Sequence, residues 1–320
     1  MRPLGAQWHR AWFYATNVLQ QALPSWSFRR RLASRLASVP EASLQAVHDR
    51  VAYYLRLDQP FAVPAPAQPI RDIRSDGFTT YYFDLCRLTR YFPPDRALAF
   101  LFGDIIDVPS VPTIVKSRPI SQHNHNAVLL KLNQVRHYYL VDDALSFTDK
   151  RDVVVWRGKC HGRANRVACV EQFHATPGCD IGDTTPKAMG EPTWKPFMSI
   201  AEQLRCKFIL SIEGKDVATN TKWIMASNSL CFMPRPRYET WFMEGRLVAD
   251  QHYVLLRDDL ADLLDKRAHY QAHPQQALDI IVNAKQHVAQ FQDQSLEEVI
   301  GLLVLRKYFQ LSGQWSEKLP

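Results

Sequence analysis

The sequence predicts an α/β fold with parallel strands, and three observations support this class. The 320 residues are 46% hydrophobic and 22% charged, a composition that forms a core and is long enough for two domains. Short apolar runs alternate with amphipathic stretches over most of the chain. A complete β–α–β unit is contained in residues 207–233. Its predicted parts are a strand over Lys207–Ile212, a turn over Gly214–Asp216, a helix over Val217–Ala226 and a strand over Ser229–Met233.

The remaining predicted elements continue this alternation. In chain order they are a helix over residues 40–58, strands at Ala97–Phe102, Tyr138–Val141 and Val153–Val155, a helix ending at Phe173, a strand at His252–Leu256, a helix ending at Tyr270, and two helices around Leu278–Phe291 and Leu296–Tyr308. Because the last two helices have the periodicity of core-facing helices, we expect both to cover the fold.

The charge and the cysteine pattern limit the function classes. A net charge of +7 and an isoelectric point near 9.1 favour anionic partners, namely nucleotides, nucleic acid or an anionic membrane surface. The six cysteines show no C-x-x-C spacing, which favours reduced thiols and a cytoplasmic protein. The cysteines and histidines between residues 160 and 179 match no common zinc spacing. No uninterrupted apolar run of about 18 residues and no signal-peptide core is present.

The N-terminal segment combines aromatic and basic residues. Its aromatic and apolar members are Trp8, Trp12, Phe13, Leu19, Leu23 and Trp26, and its basic members are Arg2, Arg10 and Arg29–Arg31. This composition is typical of a helix that lies at a lipid interface. A helix that packs on its own domain has the same composition, so both interpretations stay open.

A basic loop with two glycines follows the strand at Val153–Val155. The loop begins at Arg157 and Gly158 and ends at Arg166, and Gly158 and Gly162 allow a ligand to approach the backbone closely. A strand, such a loop and a helix suit a pyrophosphate, for which Arg157 and Arg166 would supply positive charge. A solvated basic face is the alternative.

The β–α–β unit contains a second candidate anion site. Gly214, Lys215 and Asp216 lead into the N-terminus of the predicted helix, where unpaired N–H groups face the carboxyl end of the sheet. Lys222 lies one to two turns into that helix, so its side chain can reach back toward the same end.

Three polar residues after this helix are candidates for nucleotide binding. Ser227 and Ser229 border the following strand, and Glu244 comes after it, where a carboxylate accepts hydrogen bonds from ribose hydroxyls. The plain alternatives are caps for the two serines and a surface acid for Glu244.

Two residues are candidates for a general base. Asp104 follows the strand at Ala97–Phe102, where α/β sheets present functional groups, although a turn carboxylate is the alternative. His125 lies in the polar run Gln122–Asn126. A general base at such a position contributes about two to four orders of magnitude in rate.

The order of these motifs resembles glycosyltransferase family 90. The resembling motifs are WRG at Trp156–Gly158, Arg166, Glu213-Gly214 with Lys222, Ser227-x-Ser229, Trp241-x-x-Glu244, His252–Val254, and the stretches GDIIDVPSVPTIVKSRPI and KWIMASNSLCFMP. The resemblance extends over roughly residues 95 to 310 and is strongest to the bacterial branch that acts in lipopolysaccharide core biosynthesis.

The resemblance implies a GT-B-like fold, in which two Rossmann-like domains face each other across a donor cleft, with C-terminal covering helices. It implies an inverting, metal-independent transfer of glucose or galactose from a UDP-sugar to a lipopolysaccharide or lipooligosaccharide core acceptor. The sequence has no Asp-x-Asp pair, so no metal and no cofactor are expected. Helix N-termini and basic side chains would stabilise the leaving diphosphate, each donor contributing on the order of 3 kcal/mol. Peripheral contact with an anionic membrane on its cytoplasmic face is expected, and nucleic acid is not.

The resemblance also implies residue roles and domain boundaries. The expected segments are 1–58 (helical, basic and aromatic), 59–150 (acceptor-side α/β domain), 151–272 (nucleotide-sugar domain) and 273–320 (C-terminal helices). Arg166 and Gly214–Lys222 would bind the diphosphate, and Ser227, Ser229 and Glu244 the nucleotide.

This sequence departs from the family pattern at two positions. Asn220 stands where eukaryotic members place an arginine, and Asn124 stands where they place the base aspartate. The base is therefore assigned to Asp104 first and His125 second. The alternative function is an inactive, basic binding protein for anionic lipid or nucleic acid on the same fold.

Overall fold

The computed structural model describes residues 11–17, 19 and 23–316. They divide into two compact units. The sheet unit consists of His137–Arg237 and Phe242–Gln290. The helical unit consists of the described residues of Leu4–Arg136, together with Tyr238–Trp241 and the described part of Phe291–Pro320.

The described residues form short strands and mostly short helices. The strands are β1 (Gln68–Pro69), β2 (Ala97–Leu98), β3 (Thr113–Val115), β4 (Ser117–Pro119), β5 (Ala127–Leu129), β6 (Arg151–Gly158), β7 (Cys179–Asp183), β8 (Cys206–Leu210), β9 (Leu230–Pro234), β10 (Tyr238–Thr240) and β11 (Val254–Leu256). The helices are α1 (Ser25–Leu36), α2 (Leu44–Tyr54), α3 (Thr79–Thr89), α4 (Gln134–His137), α5 (Ala164–Phe173), α6 (Ile200–Gln203), α7 (Thr221–Met225), α8 (Leu263–Ala272), α9 (Pro274–Ala289) and α10 (Gln294–Leu311). Residues 11–17 are also helical.

The sheet unit is built on five parallel strands in the order β11-β9-β8-β6-β7. The central strands β8 and β9 are almost entirely buried, as expected for a parallel sheet that is covered on both faces. Helices α5, α8 and α9 supply residues to the core cluster on one side of the sheet. The predicted α/β class with parallel strands is therefore confirmed.

Two predicted elements of the sheet unit are wrong. Residues 138–141 have no regular structure, because this segment pairs with no described strand. The Tyr138 ring lies 5.7 Å from the Lys222 ammonium group. The helix expected over Val217–Ala226 is only the five residues of α7. The chain before it turns, since the Gly214 N–H donates to the Asp216 carbonyl and the Asn220 amide donates to the Leu210 carbonyl.

The described strands of the helical unit form two-stranded pairs and no larger sheet. The pairs are β1 with β2, β3 with β5, and β4 with β10. The strand predicted over Ala97–Phe102 is limited to β2 and one further bridge, from Phe100 to Ile114. The described part of this unit thus lacks the large parallel sheet of a Rossmann-like domain.

Helix α10 is the central helix of the helical unit. Its residues Ile300, Leu302 and Leu305 are fully buried, and buried positions surround the helix instead of lining one face. Gly301 lets it approach α3 closely, because a Cβ atom there would lie 2.8 Å from Leu88. The last two helices were both expected to cover the fold, yet only α9 packs on the sheet, against β9.

The chain passes from one unit to the other at two main places, and the boundaries after residues 58, 150 and 272 stay predictions. The chain passes from the helical unit to the sheet unit between Arg136 and His137. The second place lies between Gln290 and Phe291, in the connection between α9 and α10. The short strand β10 belongs to the helical unit because it pairs with β4.

The N-terminal residues that are described pack on α3. Phe13 and Tyr14 contact the Phe83 ring edge-on, at centroid distances of 6.3 and 6.1 Å, while 72% of Trp12 is exposed. The predicted residues Arg2, Trp8 and Arg10 lie outside the described residues. In the described part of the chain, no helix has both the length and the hydropathy needed to cross a bilayer.

Candidate active site

The strand order of the sheet unit predicts a crevice between the carboxyl ends of β6 and β8. These two strands are neighbours, and the chain leaves them in opposite directions, from β6 to β7 on one side and from β8 to β9 on the other. Parallel α/β sheets bind ligands at such switch points, outside the carboxyl ends of the strands. The loops after β6 and β8 are the basic loop and the Gly214 turn that the sequence singled out.

Arg166 connects these two loops. Its Nη2 donates to the Ile212 carbonyl at 2.9 Å, its Nε to the Glu213 carbonyl at 3.1 Å and its Nη1 to the Lys159 carbonyl at 3.1 Å. The guanidinium also lies 5.6 Å from the centroid of the Trp156 ring. A half-buried positive charge is therefore fixed at the mouth of the crevice.

Two glycines of the predicted site allow close packing of side chains. A Cβ atom on Gly214 would lie 3.0 Å from Arg166 Nη2, so glycine lets the guanidinium reach the carbonyls of this turn. A Cβ atom on Gly158 would lie 2.5 Å from the Trp156 ring. Gly158 thus makes room for the buried Trp156 ring. The sequence pattern indicated close approach of a ligand and not this packing role.

Asp183, at the end of β7, anchors the basic loop by hydrogen bonds. Its carboxylate accepts the Cys160 N–H at 3.1 Å and both the N–H and the hydroxyl of Thr185, at 2.8 and 2.6 Å. Burial acts to raise the pKa of Asp183, but the hydrogen bonds from Thr185 and Cys160 hold that pKa below its ordinary value. Sequence reasoning missed this residue, although its position at a strand end was a usable signal.

Arg157 is used within the fold. Its Nη2 donates to Asp180 at 2.7 Å, its Nη1 to the Asp180 carbonyl at 2.6 Å, and only 5% of its side chain is exposed. Lys195 contacts the same carboxylate at 3.0 Å. Burial acts to raise the pKa of Asp180, but the two cations hold it below its ordinary value. The structure therefore does not place Arg157 with Arg166 in the crevice.

The turn before α7 contains the other predicted diphosphate residues. Lys215 is exposed, Asp216 is buried, and Asn220 is the residue before the first turn of α7. The Asn220 side chain bonds to Leu210 and Ser211, which anchors the turn to the end of β8. Because α7 has only five residues, the anion site expected at a longer helix is reduced to the turn itself.

Lys222 and Glu244 form a buried ion pair. Lys222 Nζ lies 2.8 Å from Glu244 Oε1, and their side chains are 0% and 3% exposed. The rings of Tyr138 and Phe242 lie 5.7 and 5.3 Å from the same ammonium group. The structure thus brings two predicted donor-binding residues together, as partners of each other. A direct contact of either with the donor stays a prediction.

Ser227 and Ser229 lie at the opposite edge of the sheet from Arg166. They precede β9, and the Ser229 hydroxyl donates to the carbonyl of Cys206, the first residue of β8, at 2.8 Å. The Ser227 hydroxyl donates to the Ile224 carbonyl at 2.7 Å and accepts the Ser229 N–H at 3.0 Å. Both hydroxyls therefore cap backbone groups, and the structure does not gather these serines with Arg166 and Gly214.

The first base candidate, Asp104, lies in the helical unit and contacts Tyr81, which lines a cavity. Its Oδ1 is 2.7 Å from Lys116 Nζ and 3.4 Å from the Tyr81 hydroxyl. Lys116 is 2% exposed and Asp104 is 28% exposed, so the carboxylate reaches solvent while its partner does not. Tyr81 also lines a cavity of about 340 Å³, whose other lining residues include Phe78 and Asn133.

The second base candidate, His125, is exposed and lies next to a buried asparagine. Asn124 Oδ1 accepts from Arg56 at 2.9 Å, and its amide donates to the Pro119 carbonyl at 2.8 Å. Asn124 is 0% exposed, so its side chain is closed to solvent here.

Two comparisons show which proteins this chain is similar to. The family described as Glycosyl transferase family 90 matches residues 130–310. The O-glucosyltransferase LpsA of Dichelobacter nodosus is 45% identical over 308 residues, which are 95% of this chain and 96% of the relative.

The chain belongs to glycosyltransferase family 90. It is a glycosyltransferase, as the sequence resemblance implied. The residues of the family match include Arg166, Gly214, Lys222 and Glu244, whereas Asp104 and His125 precede them.

This family 90 enzyme also contains a buried polar cluster that sequence reasoning missed. Glu239 on β10 is 0% exposed and accepts from Arg118 Nε at 2.7 Å, from the Tyr53 hydroxyl and from the Asn124 amide at 3.4 Å. Burial and the Glu239 carboxylate raise the pKa of Tyr53, so its phenol stays protonated. Only the pairing of β10 with β4 brings Glu239 to Arg118, and no local pattern signals a pairing at that separation.

No group of three or more metal-ligating side chains occurs among the residues that the structure describes. Burial raises the pKa of Cys160 to about 12, and burial also raises that of Cys169, so both thiols are protonated at neutral pH. The described cysteines are free thiols.

Proposed function

We propose that this enzyme transfers glucose from UDP-glucose to a lipopolysaccharide core acceptor, with inversion at the anomeric carbon and without a metal ion. The observation that carries the proposal is the near full-length similarity to a protein named O-glucosyltransferase LpsA. Glucose is therefore preferred over galactose, the other hexose that the sequence resemblance implies. The GT-B arrangement is proposed with the sheet unit as its nucleotide-binding half, which the parallel sheet supports, whereas the described part of the helical unit has no such sheet.

The donor diphosphate binds at the crevice between the carboxyl ends of β6 and β8 in this proposal. Arg166 faces the diphosphate, and the exposed Lys215 in the turn at Gly214 supplies a further positive charge. These groups stabilise the negative charge that develops on the leaving diphosphate, the role that a metal ion has in other glycosyltransferases. The Lys222–Glu244 pair acts behind them by holding Phe242 and the start of α7 in place.

The acceptor sugar occupies the cavity beside Asp104. Its lining combines the rings of Tyr14, Phe78 and Tyr81 with polar Thr80 and Asn133, the mixture of apolar faces and hydrogen-bonding groups that a sugar requires. Tyr81 contacts both this cavity and Asp104. Asp104 then accepts the proton of the attacking hydroxyl.

A donor panel tests the proposal. The full chain is incubated with UDP-glucose, UDP-galactose or UDP-N-acetylglucosamine, and thermal stabilisation, hydrolysis and transfer to core oligosaccharide are measured. We expect UDP-glucose to give the largest stabilisation and the highest transfer rate, and nuclear magnetic resonance to show the inverted linkage. A different preferred donor, or a retained configuration, would overturn the proposal at that point. The proposal also places the enzyme on the cytoplasmic face of the membrane, where UDP-sugars are available.

A further inference from the structure

We propose that the N-terminal part of the helical unit holds a binding site for the phosphate group of an anionic membrane phospholipid. The site joins an exposed apolar face to a pocket lined with arginines. Its residues differ from those assigned to the donor and the acceptor, although Tyr14 of the acceptor cavity lies in the same N-terminal helix as Trp12. The inference does not rest on the proposed function.

The first observation is an exposed apolar face. Trp12 and Leu19 are 72% and 70% exposed, and they are seven residues apart, which places them on the same side of a helix. Leu23 and Trp26 follow, each 52% exposed. Transfer of such exposed apolar side chains from water to the lipid interface lowers the free energy, and tryptophan is enriched at that interface.

The second observation is the charge of an adjacent pocket of about 360 Å³. Its lining contains four arginines and no carboxylate: Arg29, Arg71, Arg87 and Arg90. The nearest carboxylates give weak contacts, since Glu298 lies 3.7 Å from Arg87 and the exposed Asp72 lies 3.8 Å from Arg71. The Arg29 guanidinium makes no hydrogen bond or ion pair with any residue that the structure describes. The pocket therefore complements a compact anion.

The other titratable side chains of the pocket do not cancel this charge. Burial raises the pKa of the Cys86 thiol to about 11, and burial also raises the pKa of the Tyr82 phenol, so both are uncharged at neutral pH. Burial lowers the pKa of Arg90. An anion in the pocket would offset the cost of keeping this guanidinium charged there.

The pocket and the apolar face share one stretch of chain. Arg90 Nη2 donates to the Leu23 carbonyl at 3.1 Å, and the Arg90 guanidinium lies 3.7 Å from the centroid of the Phe28 ring. Arg30 stacks on Trp26, with its guanidinium 4.8 Å from the ring. A phospholipid matches this arrangement, because its phosphate and its acyl chains present an anion and an apolar surface side by side. A free phosphate provides no partner for the exposed Trp12 and Leu19, and a nucleic acid, whose bases stack on aromatic rings, provides none for Leu19.

Vesicle binding by the full chain tests the inference. Co-sedimentation is measured with vesicles of phosphatidylcholine alone and of phosphatidylcholine mixed with phosphatidylglycerol. We expect binding to the mixed vesicles and much weaker binding to the neutral ones. The pocket variant Arg29→Gln/Arg71→Gln should lose roughly twentyfold in partitioning to the mixed vesicles. The face variant Trp12→Ala/Trp26→Ala should lose about tenfold or more.

Matched controls separate this site from general charge and stickiness. Arg205→Gln/Arg257→Gln removes two exposed charges from the sheet unit, and Met189→Ala/Phe197→Ala removes exposed apolar side chains there. Both controls should bind vesicles within about twofold of the wild type. Hydrolysis of UDP-glucose, measured in the absence of vesicles, should be the same in all of these variants, which shows that they are folded.

Three results would overturn the lipid assignment. The first is equal loss of binding in the pocket variant and in its arginine control. The second is stabilisation of the wild type, but not of the pocket variant, by inorganic phosphate at constant ionic strength, together with unchanged vesicle binding. The third is binding of single-stranded RNA that the pocket variant loses while vesicle binding persists.

Discussion

At the scale of single residues, two carboxylates that pair with lysines differ in what they can contact. Asp104 pairs with Lys116 and keeps 28% of its side chain exposed, whereas Glu244 pairs with Lys222 and keeps 3%. A carboxylate must reach the substrate to accept its proton, so Asp104 remains a candidate base. Glu244 and Lys222 are better placed to hold the protein around the site.

We expect Asp104→Asn to lower kcat for transfer by about 10²- to 10⁴-fold, because the amide cannot accept the acceptor proton. The measurement is steady-state transfer to core oligosaccharide, with UDP-glucose binding followed separately. Asp107→Asn is the matched control, since Asp107 is exposed in the same loop and should leave kcat unchanged. A wild-type rate for Asp104→Asn would move the base assignment to His125.

Lys222→Ala should destabilise the fold by on the order of 3 kcal/mol, because it leaves the Glu244 carboxylate buried without its cation. Thermal and urea unfolding report this change. The double variant Lys222→Met/Glu244→Gln should recover most of the loss, and Lys215→Ala, at an exposed lysine nearby, should unfold like the wild type. Normal stability together with a raised KM for UDP-glucose in Lys222→Ala would instead support direct contact with the donor.

At the scale of elements, the short loops after β6 and β8 define the candidate donor site. Their geometry depends on Arg166, which donates to carbonyls of both loops, and on Gly214, which leaves space for it. The sheet topology makes these loops neighbours, since β6 and β8 are adjacent and parallel. A change in either loop is therefore expected to act on the other.

Arg166→Ala should raise the KM for UDP-glucose by about tenfold or more, because a charge-assisted contact with the diphosphate is lost. Arg166→Lys should recover only part of this, since an ammonium group cannot bond to three carbonyls in the same geometry. Arg163→Ala is the matched control in the same loop, where the guanidinium donates, among the described residues, only to the neighbouring Gly162 carbonyl. An unchanged KM in Arg166→Ala would exclude this arginine from the donor site.

Helix α9 gives the sheet unit a pH-dependent stability. Burial lowers the pKa of His287 to about 4, and its Nε2 lies 2.9 Å from the Phe242 carbonyl. The pKa of His287 in the folded protein is below the unfolded value of 6.5. The stabilisation that neutral His287 provides is therefore complete above pH 6.5 and is lost as the pH falls toward 4.

We expect the free energy of unfolding to fall by about 3 kcal/mol over this pH range because of His287. Urea unfolding measured between pH 7 and pH 4 would show it. His287→Gln retains a donor for the Phe242 carbonyl but does not titrate, so its stability should depend less steeply on pH. The same slope in both proteins would contradict this assignment.

At the scale of the whole molecule, the net charge of +7 suits an enzyme that handles anionic substrates. The similarity to LpsA covers 95% of the chain, so the helical unit belongs to the enzyme as much as the sheet unit does. The candidate donor loops lie in the sheet unit, and Asp104 with its cavity lies in the helical unit.

Transfer should proceed at the same rate with EDTA present, because basic side chains are proposed to stabilise the diphosphate. Rates are compared in untreated protein, in EDTA, and after addition of Mg²⁺ or Mn²⁺. Activity that EDTA abolishes and a divalent ion restores would contradict metal independence.

Much of the fold was predictable because its signals are local. The strands β6, β8, β9 and β11 contain continuous apolar runs, and α9 has an apolar face with helical periodicity. The strand predicted at 138–141 failed because an apolar run carries no information about whether a partner strand is available. The helix predicted over Val217–Ala226 was too long. The hydrogen bonds of Asn220 with Leu210 and Ser211 hold its first residues in a turn.

The sequence by itself determined the fold class, the family and the two loops around Arg166 and Gly214, because each depends on motifs that are short or ordered along the chain. Only the tertiary structure decided which charged residues are partners. It paired Lys222 with Glu244 and Arg157 with Asp180, and it placed Ser227 and Ser229 at the far edge of the sheet. Burial and pairing between distant residues are set by packing, and no pattern along the chain records them.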